Sequence, residues 1–334
     1  MTSKNLILYF LTFLVFVTIV GRNVQRQMDV MTYQGNFTSE ESGPMLLQAD
    51  INTYSFMQER KLVSSNSEER KKFRYVYKFF EIQPYLLTQN YLHEKLHKYV
   101  FVLYHSIILF LTYMVSRLLF YSVYNKKKNI VTEIFISSMF LLLASYLFST
   151  SEILVSERFT LVETLAISIA LYASIKEKIG MFVFSLILGV SNRESAMFLA
   201  VFYPLLNYQK ISKKMIFGLL SIAPIFFMII NFDILSQITL DSLRFNDVLK
   251  PITNTQFFIH LIKYIPFLLP LILLIFFLQK KALLFKKIAL IVLAYIFIIT
   301  FGSYLGNMVL LFLFIPFYIV AIGSFLNDKG NHFL

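Results

Sequence analysis

No cysteine occurs among the 334 residues, which excludes a disulfide framework and any thiolate metal site. No stretch sustains the period-two alternation of a half-buried strand, so a sheet-based fold is not expected. No internal repeat emerges either, which counts against the paired halves of secondary transporters. Charge is scarce: 15% of the residues are Asp, Glu, Lys or Arg, against 57% hydrophobic. The balance is basic, with 31 Lys and Arg to 19 Asp and Glu, a formal charge of +12. Spread over a polar surface, such an excess would suit nucleic acid. Here the lysines come in short clusters that punctuate apolar runs, the pattern of loops meeting an anionic leaflet, and a nucleic-acid partner is discounted on that ground.

What is present is length of apolar chain. Ten runs are candidates to cross a hydrocarbon layer about 30 Å thick as helices: Leu6–Val20, Tyr99–Tyr124, Ile130–Ser149, Phe159–Ile175, Ile179–Asn192, Ser195–Tyr208, Met215–Phe232, Phe257–Gln279, Ile288–Gly306 and Asn307–Phe325. The expected fold class is all-α, a polytopic transmembrane helical protein forming a single integral membrane domain over residues 1–334. The first run follows Lys4 like a signal sequence, but Gly21, Arg22 and Asn23 offer no small-x-small cleavage site, so it reads as a retained helix. With both termini cytoplasmic, every lysine cluster between spans falls on the inner side. These are Lys126–Lys128, Lys176 with Lys178, Lys210 with Lys213 and Lys214, Lys280, Lys281, Lys286 and Lys287, and Lys329.

The stretch LILGVSNRESAMFLAVFYPLL sets Arg193 and Glu194 amid apolar residues. One long helix over 179–208 would put Lys176 and Lys178 on the face opposite Lys210, Lys213 and Lys214. The positive-inside rule therefore favours a short helix hairpin over 179–208 with its apex at Asn192–Glu194. Irregular backbone there is tolerated only against a cavity or protein. Arg158, Arg193 and Arg244 then lie at outer ends of spans and Arg117 lies within one, while the inner loops use lysine alone. The guanidinium fork suits bidentate binding of phosphate or carboxylate, so the outer face is the expected chemical face.

Residues 22–98 form a long polar extracytoplasmic connection, of the length associated with functional or disordered loops. Within it Leu86, Leu92, Leu96 and Tyr99 repeat at helical spacing, which predicts a surface-lying amphipathic helix before the second span. MDVMTY and ADINTY each carry an aspartate, Asp29 and Asp50, ahead of a tyrosine. Around the fourth span Glu152, Glu157, Arg158 and Glu163 gather, and Asp233–Gln256 adds Arg244 among three aspartates. Ionisable groups at a membrane edge are costly, so they serve function or pair with one another; Glu157 with Arg158 and Arg193 with Glu194 are the self-pairing alternatives. His93-Glu94-Lys95-Leu96-His97 fits H-E-x-x-H, two imidazoles one turn apart and a glutamate beside them, the skeleton of a zinc-dependent protease. The lysines at 95 and 98 depart from that family's pattern, and headgroup-level histidines are the plainer reading. Asn36-Phe37-Thr38 is a glycosylation sequon, meaningful only in a eukaryotic secretory membrane.

One amino-terminal helix, a long outer loop with an acidic-tyrosine element, then many spans resembles the GT-C superfamily of polytopic glycosyltransferases. SLILGVSNRESAMFLAVF is similar to a helix hairpin of bacterial members, and ERFTLVETLAISIALYASIKEK to the span before it. The likeness covers roughly residues 80 to 210. It implies an enzyme of a bacterial plasma membrane, moving a sugar from a polyprenyl-phosphate donor to a glycan, lipid or protein acceptor on the extracytoplasmic side. It implies an acidic residue of the first outer loop as the catalytic group, Asp50 by its place before the surface helices, with Asp29 second. Arg193 and Glu194, with Arg158, Glu157 and Arg244, would bind substrate. A divalent cation is the only cofactor the resemblance leaves room for, and no Asp-x-Asp or Glu-x-Asp pair is present to hold one. Two other functions compete: a membrane protease using zinc on His93 and His97, and a non-enzymatic lipid or oligosaccharide flippase or transporter.

Overall fold

A computed structural model of the chain describes residues 3–33, 94–124, 130–150, 159–192 and 194–230, with Lys287, Ile291 and residues 315–317 besides. Among the described residues the chain is helical and no strand occurs. In order run α1 (Ser3–Tyr33), α2 (Glu94–Tyr124), α3 (Ile130–Thr150), α4 (Phe159–Ile175), α5 (Ile179–Asn192), a 3-10 helix (Glu194–Val201), α6 (Phe202–Asn207) and α7 (Lys213–Ile230).

The first three helices alternate in direction. Phe13 meets Phe110 with ring centroids 5.5 Å apart, while a Cβ on Gly21 would lie 3.9 Å from Val102, so α2 runs antiparallel to α1. Helix α3 turns back alongside α1: Phe16 packs edge-on to Phe140 at 5.6 Å, and further along Asn23 Nδ2 donates to the Phe148 carbonyl at 2.5 Å. Helix α4 packs against α2.

Helix α4 ends in a Schellman turn. Lys178 N donates to the Ala173 carbonyl at 2.8 Å and Glu177 N to that of Ser174 at 3.4 Å, with Glu177 at φ 57°. That left-handed position is normally glycine's, because a Cβ there crowds the following carbonyl. Glu177→Gly is expected to raise stability by about 0.5–1 kcal/mol, read as a higher unfolding temperature of the purified protein. A decrease would show that the Glu177–Lys210 ion pair outweighs the backbone strain.

From this turn α5 climbs and the next segment descends beside it. Phe182 lies 5.2 Å from Tyr203 ring to ring, and a Cβ on Gly189 would stand 2.9 Å from the Ala196 Cβ. Contacts that link earlier residues of one arm to later residues of the other require an antiparallel pair. At its foot, Asn207 Nδ2 donates to the Ser174 carbonyl at 2.8 Å, and Lys210 pairs with Glu177. The descending arm opens with eight residues of 3-10 helix, unusually long for that form. At about 2.0 Å per residue against 1.5 Å, the 3-10 helix reaches further than α-helix would, so this arm is at least as long as α5.

Polarity is distributed inside out. Ser106, Ser116, Glu133, Glu163, Ser168, Ser174, Ser185 and Asn192 are buried, while Leu6, Ile7, Phe10, Phe217 and Ile229 are at least 60% exposed. Several buried hydroxyls are satisfied within their own helices, as Thr112 is by the Ile108 carbonyl at 2.9 Å and Ser168 by that of Thr164 at 2.7 Å. Among the described residues, two helices, Asn5–Gln25 and Val102–Val123, are long and apolar enough to cross a membrane.

Two boundaries differ from those expected. Helix α1 runs to Tyr33, so Arg22–Tyr33, assigned to the polar loop, is helical. Past Gly21 nothing in RNVQRQMDVMTY breaks a helix: it holds no proline and is rich in Gln, Arg and Met. At the other side, α2 begins at Glu94 and continues unbroken through Tyr99, so residues 94–98 extend the second span's helix instead of belonging to a separate surface-lying one. The three spans expected within Phe257–Phe325 lie outside the described residues, apart from Lys287, Ile291 and 315–317.

Candidate functional site

Two polar zones lie inside the apolar helix set. In the first, α2 places Tyr113, Arg117 and Tyr121 on one face at intervals of four residues, and α3 does the same with Glu133 and Ser137. The antiparallel register pairs them as rungs. Tyr113 Oη and Ser137 Oγ are 2.6 Å apart, and Arg117 Nε donates to Glu133 Oε2 at 2.5 Å. The side chains of this ion pair are 6% and 1% exposed. The guanidinium carbon lies 4.8 Å from the Tyr9 ring centroid and 5.6 Å from that of Tyr121. The phenols of Tyr9 and Tyr121 and Glu133 Oε1 are buried beside this pair, and both phenols interact with the Glu133 carboxylate and the Arg117 guanidinium. Among the described residues this zone ties α1, α2 and α3 together, with both charged groups buried against one another.

The sequence reading noted Arg117 within a span but passed over Glu133. The signal was available as opposite charges on consecutive antiparallel apolar runs, each within three turns of the Lys126–Lys128 turn. The pair sits toward the end where α2 stops and α3 starts.

The second lies where α5 packs against α4. A Cβ on Gly189 would lie 3.3 Å from that of Ala166, which fixes the register of α5 against α4. One turn onward along α5 and one turn back along α4 bring Asn192 and Glu163 level, both fully buried. Polar groups buried in the first two helices are His105 and Ser106 of α2, one turn from the Val102–Gly21 contact, and Asn23 of α1. A carboxylate, an imidazole and two amides held in a low-dielectric interior are groups able to orient hydroxyls and move protons.

Three expected site residues have a described backbone. Asp29 stands in the last turns of α1, His97 in the first turn of α2 and Glu194 at the start of the 3-10 helix. The antiparallel packing of α1 and α2 puts Asp29 and His97 at the same end of that helix pair. Asp50, Glu157, Arg158, Arg193, Arg244 and His93 lie outside the described residues. Among the described residues, no group of three or more His, Cys, Asp or Glu is arranged to hold a metal ion.

Glu163 is the acidic residue whose role changes most. Read from sequence it stands at the mouth of the fourth span; in the structure it is inside α4 with no exposed surface. Compared with known protein families, characterised proteins and solved structures, the chain matches none.

Proposed function

We propose that the chain is a polytopic membrane glycosyltransferase of the GT-C kind in a bacterial plasma membrane. It moves a sugar from a polyprenyl-phosphate donor to a glycan, lipid or protein acceptor on the extracytoplasmic side. The observation that carries the reading is the antiparallel packing of α5 against the 3-10 helix. It turns the chain back at the two residues that flank Arg193 in sequence, Asn192 and Glu194, one turn from the Gly189–Ala166 contact that brings buried Glu163 level with Asn192. The inside-out distribution of polarity supports membrane embedding, since a hydrocarbon solvent tolerates exposed Phe217 and Leu6 but not a bare carboxylate.

The chemistry asks for two kinds of group. The acceptor hydroxyl attacks the anomeric carbon, its new C–O bond forms as the bond from that carbon to the phosphate oxygen breaks, and polyprenyl phosphate departs with the electron pair. A carboxylate takes the hydroxyl proton, the role given to Asp50 with Asp29 as the second candidate. Guanidinium groups neutralise the leaving phosphate, the role given to Arg193 with Arg158 or Arg244, while Glu194 and Glu157 orient them or the sugar.

Arg193→Ala and Asp50→Asn are each expected to lower transfer from a polyprenyl-phosphate sugar by about a hundredfold or more. Both variants should still be recovered in the membrane at the wild-type level. The assay is release of polyprenyl phosphate by the purified chain in proteoliposomes, and full activity in both variants would remove this site.

A further inference from the structure

The end of the bundle opposite the reversal is built from two turns that the fold brings together. The α4–α5 turn carries Lys176 and Lys178, and the segment into α7 carries Lys210, Lys213 and Lys214; all five are exposed. Asn207, donating to the Ser174 carbonyl, and the Lys210–Glu177 ion pair hold these turns side by side. Lys287 reaches the same place, its Nζ 4.6 Å from the Tyr208 ring centroid and 3.5 Å from the Leu206 carbonyl. Glu177 is the one acid in this patch among the described residues, and Lys210 already occupies it. Helix α7 opens on Lys213 and Lys214 with no acidic residue in its first turn. Cations at that end are repelled by the helix dipole and by one another. Within the described residues Glu177 alone offsets that repulsion, and the patch keeps a net positive charge.

We propose that this face docks on the headgroups of anionic phospholipids, clamping the helices to one membrane surface; the proposal rests on the reading of the chain as membrane-embedded. Lipid is favoured over a soluble polyanion by what lies next along the helix. Phe217, three to four residues after Lys213 and Lys214 and so on the same side of α7, is 75% exposed, and Tyr208 is 52% exposed. Lysines bordered by an outward aromatic and apolar band match the boundary between headgroups and acyl chains, where ammonium groups extend to phosphate and rings sit at the interface. Juxtamembrane lysines gain severalfold each in binding to an anionic leaflet. A lysine group drawn from two separate turns thus acts together only when the hairpin is closed.

The test uses the full chain purified in detergent. It is challenged with phosphatidylglycerol or phosphatidylcholine of identical acyl chains, and retained lipid is counted by native mass spectrometry. The wild type is expected to retain phosphatidylglycerol about tenfold over phosphatidylcholine, with the preference falling severalfold between about 0.05 M and about 0.5 M salt. Joint replacement Lys176→Gln, Lys178→Gln, Lys213→Gln and Lys214→Gln should bring the two lipids near parity, and arginine at the same four positions should restore the preference. Equal retention by the wild type, or an undiminished preference in the glutamine variant, overturns the proposal. Should alkaline carbonate strip the wild type from its native membrane, the embedding itself is wrong and the proposal falls with it. Equal lipid retention by a chain that resists carbonate refutes the lysine patch alone. A preference for short RNA over both lipids also refutes it.

Discussion

Glu133→Ala is expected to destabilise the protein by about 3–5 kcal/mol, the cost of leaving one member of a buried ion pair without its partner. Arg117 has 6% of its side chain exposed, and its Nε–H is directed at Glu133 Oε2 at 2.5 Å. Removing the carboxylate leaves a guanidinium that remains charged in practice, because its proton is held too tightly to be shed on burial. The faces of Tyr9 and Tyr121, at 4.8 and 5.6 Å, offset only part of the lost solvation. Arg117→Ala should cost a similar amount, since it strands a carboxylate instead. The decisive comparison is the joint replacement Arg117→Met with Glu133→Leu. Two apolar side chains of similar size leave no charge unmet, so the double variant should lie within about 1–2 kcal/mol of the wild type and well above either single variant. Thermal unfolding in detergent, followed by helical circular dichroism, reads all of these. If the two single losses simply add in the double variant, the pair contributes through packing and not through charge.

The helical class and the core of most helices were legible in the sequence for one reason: an apolar run bounded by lysine clusters admits few structures. Thus Phe159–Ile175 and Ile179–Asn192 are helices with the bounds read from the run itself. Boundaries failed where apolarity ends but helix does not. RNVQRQMDVMTY is polar and was read as loop, yet polarity says only that a segment leaves hydrocarbon, not that its backbone stops turning. Glu94 to Lys98 shows the same at the start of α2. The second polar zone was harder to read. His105 is one residue in an apolar run, and Glu163 was attached to its charged neighbours in sequence because only the Gly189–Ala166 register brings it level with Asn192. Buried polar groups are found through pairings between helices, and a single chain does not display those. Asp50 was singled out by resemblance and Arg193 by its charge amid apolar sequence, and both lie outside the described residues.

Gly189→Val is expected to be the most damaging change in the 179–208 segment, because at this position the absence of a side chain sets how closely three elements approach. A Cβ here would stand 2.9 Å from the Ala196 Cβ, 3.0 Å from Leu199 Cδ1 and 3.3 Å from the Ala166 Cβ. The leucine tip can swing aside, but an alanine Cβ moves only with its backbone. Even Gly189→Ala therefore has to push the 3-10 helix off α5, a cost of about 1–3 kcal/mol that exceeds the gain of up to about 1 kcal/mol from alanine's better helix propensity. Valine adds two methyl groups to the same gap, and its cost should reach several kcal/mol. The fold supplies its own controls: a Cβ at Gly180 in α5 or Gly218 in α7 meets nothing within 4 Å. Gly180→Ala and Gly218→Ala should therefore be neutral or stabilising by about 0.5–1 kcal/mol, opposite in sign to Gly189→Ala. Ala196→Gly placed in the Gly189→Ala background removes the closest contact and should recover much of the loss. If transfer activity depends on the reversal at Asn192–Glu194, the Gly189→Val chain that remains folded should lose activity at temperatures below its unfolding transition, whereas the Gly180 and Gly218 variants keep it. Equal unfolding temperatures for all three alanine variants would show that the arms are not in close contact at Gly189.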